Sequence, residues 1–322
     1  MKLLVTGGAG YIGSVVARLL LAEGHQVTVL DDLSTGHEDA VPDDAEFVKS
    51  DIKDADDVLD RSSAGGFDGV LHFAAKSLVG ESVANPSLYW RNNVVGTRAL
   101  LDAVTKRGVG RFVFSSTAAV YGEPDQLPIT ETAPTRPTSA YGASKLAVDL
   151  MIRDECVAYG LGAVSLRYFN VAGAALGAGE RHGTETHLIP IALDVALGRR
   201  PALDLYGTDW PTPDGTCIRD YVDVEDLARA HLLALNAAAP GEHLVCNLGS
   251  GGGFSNREVI DTVAEVTGRP VAVRESARRP GDPATLIASN DRARESLGWQ
   301  PQHDLAHMVS TAWQFRRSEQ QT

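Results

Sequence analysis

The chain has 322 residues, 43% of them apolar and 22% charged, and carries a formal net charge of −13 at pH 7. That length exceeds one small core, so two lobes around a shared cleft are expected, while the acidic balance speaks against a polyanion such as nucleic acid, which needs a basic face. No apolar run of about 18 residues is present to span a membrane, and the opening stretch breaks at Gly7-Gly8 before a signal-peptide core can form, so a cytoplasmic location is expected.

In chain order, short apolar runs alternate with amphipathic stretches, the pattern of strand and helix units in a parallel sheet. A strand over 2–6 runs into Gly7-Gly8-Ala9-Gly10-Tyr11-Ile12-Gly13, and a helix is expected over 11–23. Glycines at 7, 10 and 13 permit a tight turn and close approach to a pyrophosphate, with the helix N-terminus supplying NH groups and partial positive charge. In isolation such a turn is also an ordinary surface turn, but its place between strand and helix makes it a dinucleotide site. A second strand over 26–30 ends at Asp31, eighteen residues beyond Gly13, where a carboxylate accepts from ribose hydroxyls and repels a 2′-phosphate. With no arginine in Asp32-Leu33-Ser34-Thr35-Gly36, NAD is preferred over NADP.

Asp51-Ile52 follow a third strand, a helix is expected over 54–61, and a strand over 69–73 ends in His72-Phe73-Ala74-Ala75 at the sheet edge where ligands bind. Residues 73–75 are equally suited to close packing. A long helix over 86–106 precedes a strand over 111–115 that ends in Ser115-Ser116-Thr117. Pro137-Thr138-Ser139 then announces a helix over 139–159 carrying Tyr141 and, four residues on, Lys145. Tyr-x-x-x-Lys is common by chance. Next to three hydroxyls at the cofactor edge it places an ammonium on the phenol's own helical face, where positive charge favours the phenolate and Thr117 can relay a proton.

Beyond a strand over 163–167 and Leu166-Arg167-Tyr168-Phe169-Asn170 the alternation fades, with helices expected at 224–236, 256–267, 291–297 and 304–317. These observations predict an α/β fold: a Rossmann-type doubly wound parallel sheet in residues 1–170 and a smaller, partly interleaving C-terminal substrate-binding lobe in 171–322. Cys156, Cys217 and Cys246 form no disulfide framework or CxxC motif. His303 and His307 stand four apart without a third ligand in sequence and read as helix-surface residues, so no metal site is predicted.

The glycine turn, Asp31 to Gly36, the Ser-Ser-Thr strand end, Tyr141 with Lys145, and residues 166–170 together resemble the extended short-chain dehydrogenase/reductase family, and within it the UDP-sugar 4-epimerases; the resemblance runs from Lys2 to about Trp313. It implies a homodimer packed through the helices over 86–106 and 139–159, tightly held NAD, a UDP-sugar substrate, and inversion of sugar C4 through a 4-keto intermediate. By resemblance Tyr141 is the base, Lys145 its electrostatic partner and ribose anchor, and Thr117 the hydroxyl sharing the substrate proton. Implied cofactor contacts are Gly7, Gly10, Tyr11, Ile12, Gly13, Asp31, Asp32, Leu33, Ser34, Thr35, Gly36, Asp51, Ile52, Phe73, Ala74, Ala75, Lys76, Ser77, Asn92 and Phe169, with Lys76 standing beside the place where some relatives carry their lysine. For the substrate the resemblance implies Asn170, His187 and Leu188 along the sugar-diphosphate path, Asp204, Leu205 and Tyr206 near uracil, Arg219 and Arg279 on the diphosphate, and Asp282 on a ribose. Leu286 occupies a position that affects room for an N-acetyl group. Dehydratases of this type carry Asp-Glu after the threonine, and Ala118-Ala119 move no proton.

Overall fold

A computed structural model describes residues 1–61, 66–279 and 282–319. Seven parallel strands, β1 (Lys2–Thr6), β2 (Gln26–Asp31), β3 (Glu46–Lys49), β4 (Gly69–His72), β5 (Arg111–Thr117), β6 (Gly162–Tyr168) and β7 (His243–Leu248), stand in the spatial order 7-6-5-4-1-2-3. Strand order reverses between β1 and β4, and there the carboxyl ends of two neighbouring strands diverge to leave a crevice.

β1, β4 and β6 are buried along nearly their whole length, because helices cover both faces of the sheet. On one face lie α1 (Tyr11–Ala22) and, from the far half of the chain, Val224–Ala237, which share a core with Trp299. The other face is covered by Ala55–Arg61, Thr97–Lys106 and Ala140–Tyr159, whose Leu100, Leu101, Val148 and Ile152 pack on Leu4, Val70 and Phe112. A third core joins Leu188–Ala196, Asn256–Thr267 and Leu305–Ser318. Residues after 170 therefore return to the sheet, through 224–237 and β7, before completing the smaller lobe.

The helix expected over 86–106 is broken. Pro86–Tyr89 passes into a π-helical stretch, Trp90–Gly96, before regular helix resumes at Thr97. Asn93 explains the break: it is buried, accepts from the Lys76 backbone NH at 2.8 Å, and donates to the Lys76 carbonyl and the Ser144 hydroxyl at 3.0 Å each. A wider turn that aims one side chain at a neighbouring loop is the usual employment of a π-bulge. Among the described residues, no helix is long and apolar enough to cross a membrane.

Candidate active site

Two glycines set the floor of the cleft. Gly7 has a φ of +74°, and a Cβ there would stand 2.5 Å from the Ala74 nitrogen; a Cβ on Gly13 would meet the Gly7 carbonyl oxygen at 2.2 Å. Only glycine lets β1, the exit of β4 and α1 approach so closely. Gly10 is the N-cap of α1 and no side chain caps that end, so its NH groups remain available to a diphosphate.

At the tip of β2 the Asp31 carboxylate accepts from the Ala9 NH at 3.0 Å and the Leu33 NH at 2.8 Å. Burial raises its pKa and these NH groups pull it back; each oxygen keeps a further lone pair for a ribose hydroxyl. Asp32, Ser34, Thr35 and Gly36 line the cleft, whereas Leu33, at a φ of +58°, does not. Lys76, whose role the sequence left open, reaches across to donate to the Ser34 hydroxyl at 3.0 Å. Tyr11, Ile12, Asp51, Ile52, residues 73–77, Asn92 and Phe169 also line the cleft, whose volume of about 450 Å³ falls in the range of small-molecule sites.

The reactive side chains stand where β5 ends and the 140–159 helix begins. Ser139 caps that helix by accepting from the Gly142 NH at 3.2 Å, and a Cβ on Gly142 would lie 2.4 Å from the Ala119 oxygen, so the first turn is pressed against the strand exit. This brings the Thr117 hydroxyl beside the Tyr141 phenol, near enough to lower its pKa. Lys145, one turn on and 3% exposed, donates to the Ser115 carbonyl at 2.7 Å and lies over the Phe114 ring. Burial lowers Lys145 to about 7 against the opposing pull of Asp149.

Desolvation raises the Tyr141 pKa and Thr117 lowers it in part, while Lys145 Nζ is held by the Ser115 carbonyl one turn away. Behind this group lies a network the sequence reading missed. Asp149 accepts from Ser116 Oγ at 3.2 Å and from Arg167 Nε and Nη2 at 3.0 and 2.9 Å. Arg167 also donates to the Tyr121 hydroxyl, and Ser115 pairs with the Tyr168 hydroxyl. The available signal was spacing, since Tyr141, Lys145 and Asp149 fall at i, i+4 and i+8 on one helix face.

Asn170, His187, Arg219 and Leu286 line the same cleft, together with the unforeseen Glu180 and His182. The Asn170 amide donates to the Asp220 carbonyl at 2.8 Å. His187 Nδ1 stands 2.7 Å from Glu180 Oε1 and 3.0 Å from Glu185 Oε1; burial lowers its pKa, but the two carboxylates win and hold it up at about 10.

Other expected substrate contacts lie apart from the cleft lining. In Leu203–Tyr206 the strand alternation turns Leu205 into the C-terminal core, and Asp204 pairs with Arg274 at 2.9 Å. Leu188 packs against the same core, and Arg279 lies 3.9 Å over the Tyr206 ring. Asp282 stands 3.9 Å from Arg219; its neighbours Pro280 and Gly281 fall outside the described residues. His303 and His307 do gain a third neighbour that sequence spacing could not reveal, because Asp223 comes from a different element.

Residues 3–249 match the model of the NAD dependent epimerase/dehydratase family. The chain belongs to that family. It is 56% identical over 317 residues to a UDP-glucose 4-epimerase of Corynebacterium glutamicum, covering 98% of this chain and 95% of the relative. Identity to a UDP-glucose 4-epimerase of Streptomyces lividans is 58% over 319 residues, 98% of this chain and 96% of that protein. Among solved structures, the UDP-glucose 4-epimerase of Stenotrophomonas maltophila with bound NAD and formylated UDP-arabinopyranose superposes with a TM-score of 0.96 at 39% identity, covering 100% of this chain and 99% of that one.

Proposed function

We propose that this protein is a UDP-glucose 4-epimerase that interconverts UDP-glucose and UDP-galactose through a 4-keto sugar. The observation that carries the reading is the convergence of Tyr141, Thr117 and the glycine turn on one cleft, in a chain with full-length relatives of that activity. Bound NAD supplies the hydride acceptor and the positive charge that favours a phenolate. Gly7, Gly10 and Gly13 with the α1 N-terminus suit its diphosphate, and Asp31 suits its adenosine ribose.

Tyr141 takes the proton of the sugar 4-hydroxyl, directly or through the neighbouring Thr117 hydroxyl. Lys145, fixed by the Ser115 carbonyl, adds positive charge beneath the phenol and a donor for the ribose. Asn170, His187 and Arg219 hold the sugar-diphosphate so that the keto form turns without leaving, and the proton returns from Tyr141 as C4 is reduced on its other face. Tyr206, Arg279 and Asp282 complete the nucleotide end in this reading, with Leu188, Asp204 and Leu205 as the framework beneath them. Ala118 and Ala119 line the cleft where elimination of water would need an acid and a base, which favours epimerisation over dehydration.

The reading includes a cytoplasmic, homodimeric enzyme. Three unpaired, buried cysteines suit a reducing compartment. Val83, Trp90, Leu150 and Val157 leave apolar surface exposed on the helices around 79–96 and 140–159, with Leu150 and Val157 on one helix face. Incubation with UDP-glucose and NMR of the product tests the activity: UDP-galactose supports it, while a 4-keto-6-deoxy sugar, a pentose or unchanged substrate contradicts it.

A further inference from the structure

The segment 180–187, between the short strand Ala178–Gly179 and the helix Leu188–Ala196, carries Glu-x-His-x-x-Glu-x-His. One ligand atom from each of Glu180, His182, Glu185 and His187 lies within 4.8 Å of all the others. Both imidazole Nδ1 atoms converge on one oxygen, His182 at 2.8 Å and His187 at 2.7 Å from Glu180 Oε1, and the two rings stand 5.3 Å apart. From Glu185, Oε1 is 3.0 Å from His187 Nδ1 and Oε2 is 3.9 Å from His182 Nδ1. His182 Nδ1 is buried and lacks a hydrogen bond of acceptable geometry despite its close approach to Glu180. Two ring nitrogens crowded on one oxygen, with neither aligned to hydrogen-bond it and His187 bonded instead to Glu185, is how ligands of a common centre stand. With Zn–N and Zn–O bonds of about 2.0–2.2 Å, a tetrahedral site sets its ligands about 3.3 Å apart, in the middle of the spacings found here.

Charge points the same way. Against the two carboxylates stands Arg316, whose Nη2 lies 3.3 Å from Glu185 Oε2; a cation entering the cluster displaces the imidazole protons, so both histidines ligate in the neutral form and the two carboxylates outweigh the one guanidinium. Two imidazoles with two carboxylates form a borderline donor set that suits zinc and its first-row neighbours over magnesium or calcium. Thiolates, which would favour a softer ion, are missing from the set.

We propose that Glu180, His182, Glu185 and His187 form a binding site for a divalent transition-metal cation of the zinc class. The cation joins the two ends of the 180–187 segment. Because Glu180, His182 and His187 also line the cleft, it fixes part of the wall against which the sugar nucleotide sits. The four ligands close the coordination sphere, so the role is positional, separate from hydride transfer.

Metal content of untagged protein, loaded with zinc chloride, desalted and read by elemental mass spectrometry, tests this without reference to turnover. Wild-type chain should retain about one zinc, and the double variant Glu180→Gln/His182→Ala at least tenfold less. A second double variant, His303→Ala/His307→Ala, should keep the wild-type content, which excludes the grouping around Asp223. Cobalt(II) added to chelator-stripped wild type should develop the visible d–d absorption of a four-coordinate ion. Zinc retained equally by the Glu180/His182 variant, zinc lost from the His303/His307 variant, no retention by wild type, or colourless cobalt titrations would overturn the site.

Discussion

At the scale of single residues, Tyr141 can serve as the proposed base only through the company it keeps. Burial holds the Tyr141 proton on, and the Thr117 hydroxyl and the charge of a bound dinucleotide must loosen it. Tyr141→Phe should therefore lower epimerisation by roughly 10²–10⁴-fold while leaving UDP-sugar affinity, measured by calorimetry, within a few-fold of wild type. Near wild-type turnover would place the base elsewhere. Leu286 lines the cleft, so Leu286→Ala, which removes three carbons, should raise kcat/KM for UDP-N-acetylgalactosamine relative to UDP-galactose by at least about tenfold; an unchanged ratio would remove Leu286 from specificity. Tyr141, Lys145 and Thr117 were legible because reactive types at fixed spacing sit beside a strand end. Glu180, His182 and the Asp149–Arg167 pair were not, because their meaning comes from partners distant in sequence or from an irregular segment.

Among elements, the turn after β1 carries the tightest constraint. Gly13→Ala would drive a methyl group to 2.2 Å from a backbone oxygen that cannot swing aside. A loss of about 1–3 kcal/mol in unfolding free energy is expected, together with lower NAD content of the purified protein; a variant of wild-type stability and full NAD content would contradict the role of that contact. The strand-turn-helix unit could be read directly, as could the helix 256–267, whose Ser255–Glu258 capping box marks its start. The π-helical stretch at 90–96 escaped notice because hydrophobic periodicity does not distinguish a widened turn from a regular one. β7 was missed for a different reason: its six residues join the sheet only across a long return of chain, and local pattern says nothing about distant pairing.

For the whole molecule, buried histidines set the acid limit. His72 bridges the Thr6 and Thr97 hydroxyls at 2.6 and 2.8 Å, and burial, aided by Lys145, lowers it to about 3; burial brings His231 to about 4 against the Leu227 carbonyl. Unfolded histidine titrates near 6.5, so between that value and 3–4 the unfolded chain binds more protons than the folded one and stability falls with falling pH. The two groups together should steepen this loss by up to about 3 kcal/mol per pH unit, and His72→Gln should flatten it; an unfolding midpoint constant from pH 6 to 4 would contradict the assignment. The proposed dimer would pack through the exposed apolar strip, so Val157→Glu, at a side chain 80% exposed, should convert it to monomer by light scattering at little expense in monomer stability. A dimer that survives the charge uses another surface.

Hydride transfer out from and back to one carbon, inside one cleft, is the claim on which the account stands. UDP-galactose deuterated at C4, incubated with the enzyme and read by NMR, measures it directly. UDP-glucose that retains the deuterium at C4, with no net reduction of added NAD, is the predicted result; loss of the label to solvent, or product formed without C4 inversion, would contradict it.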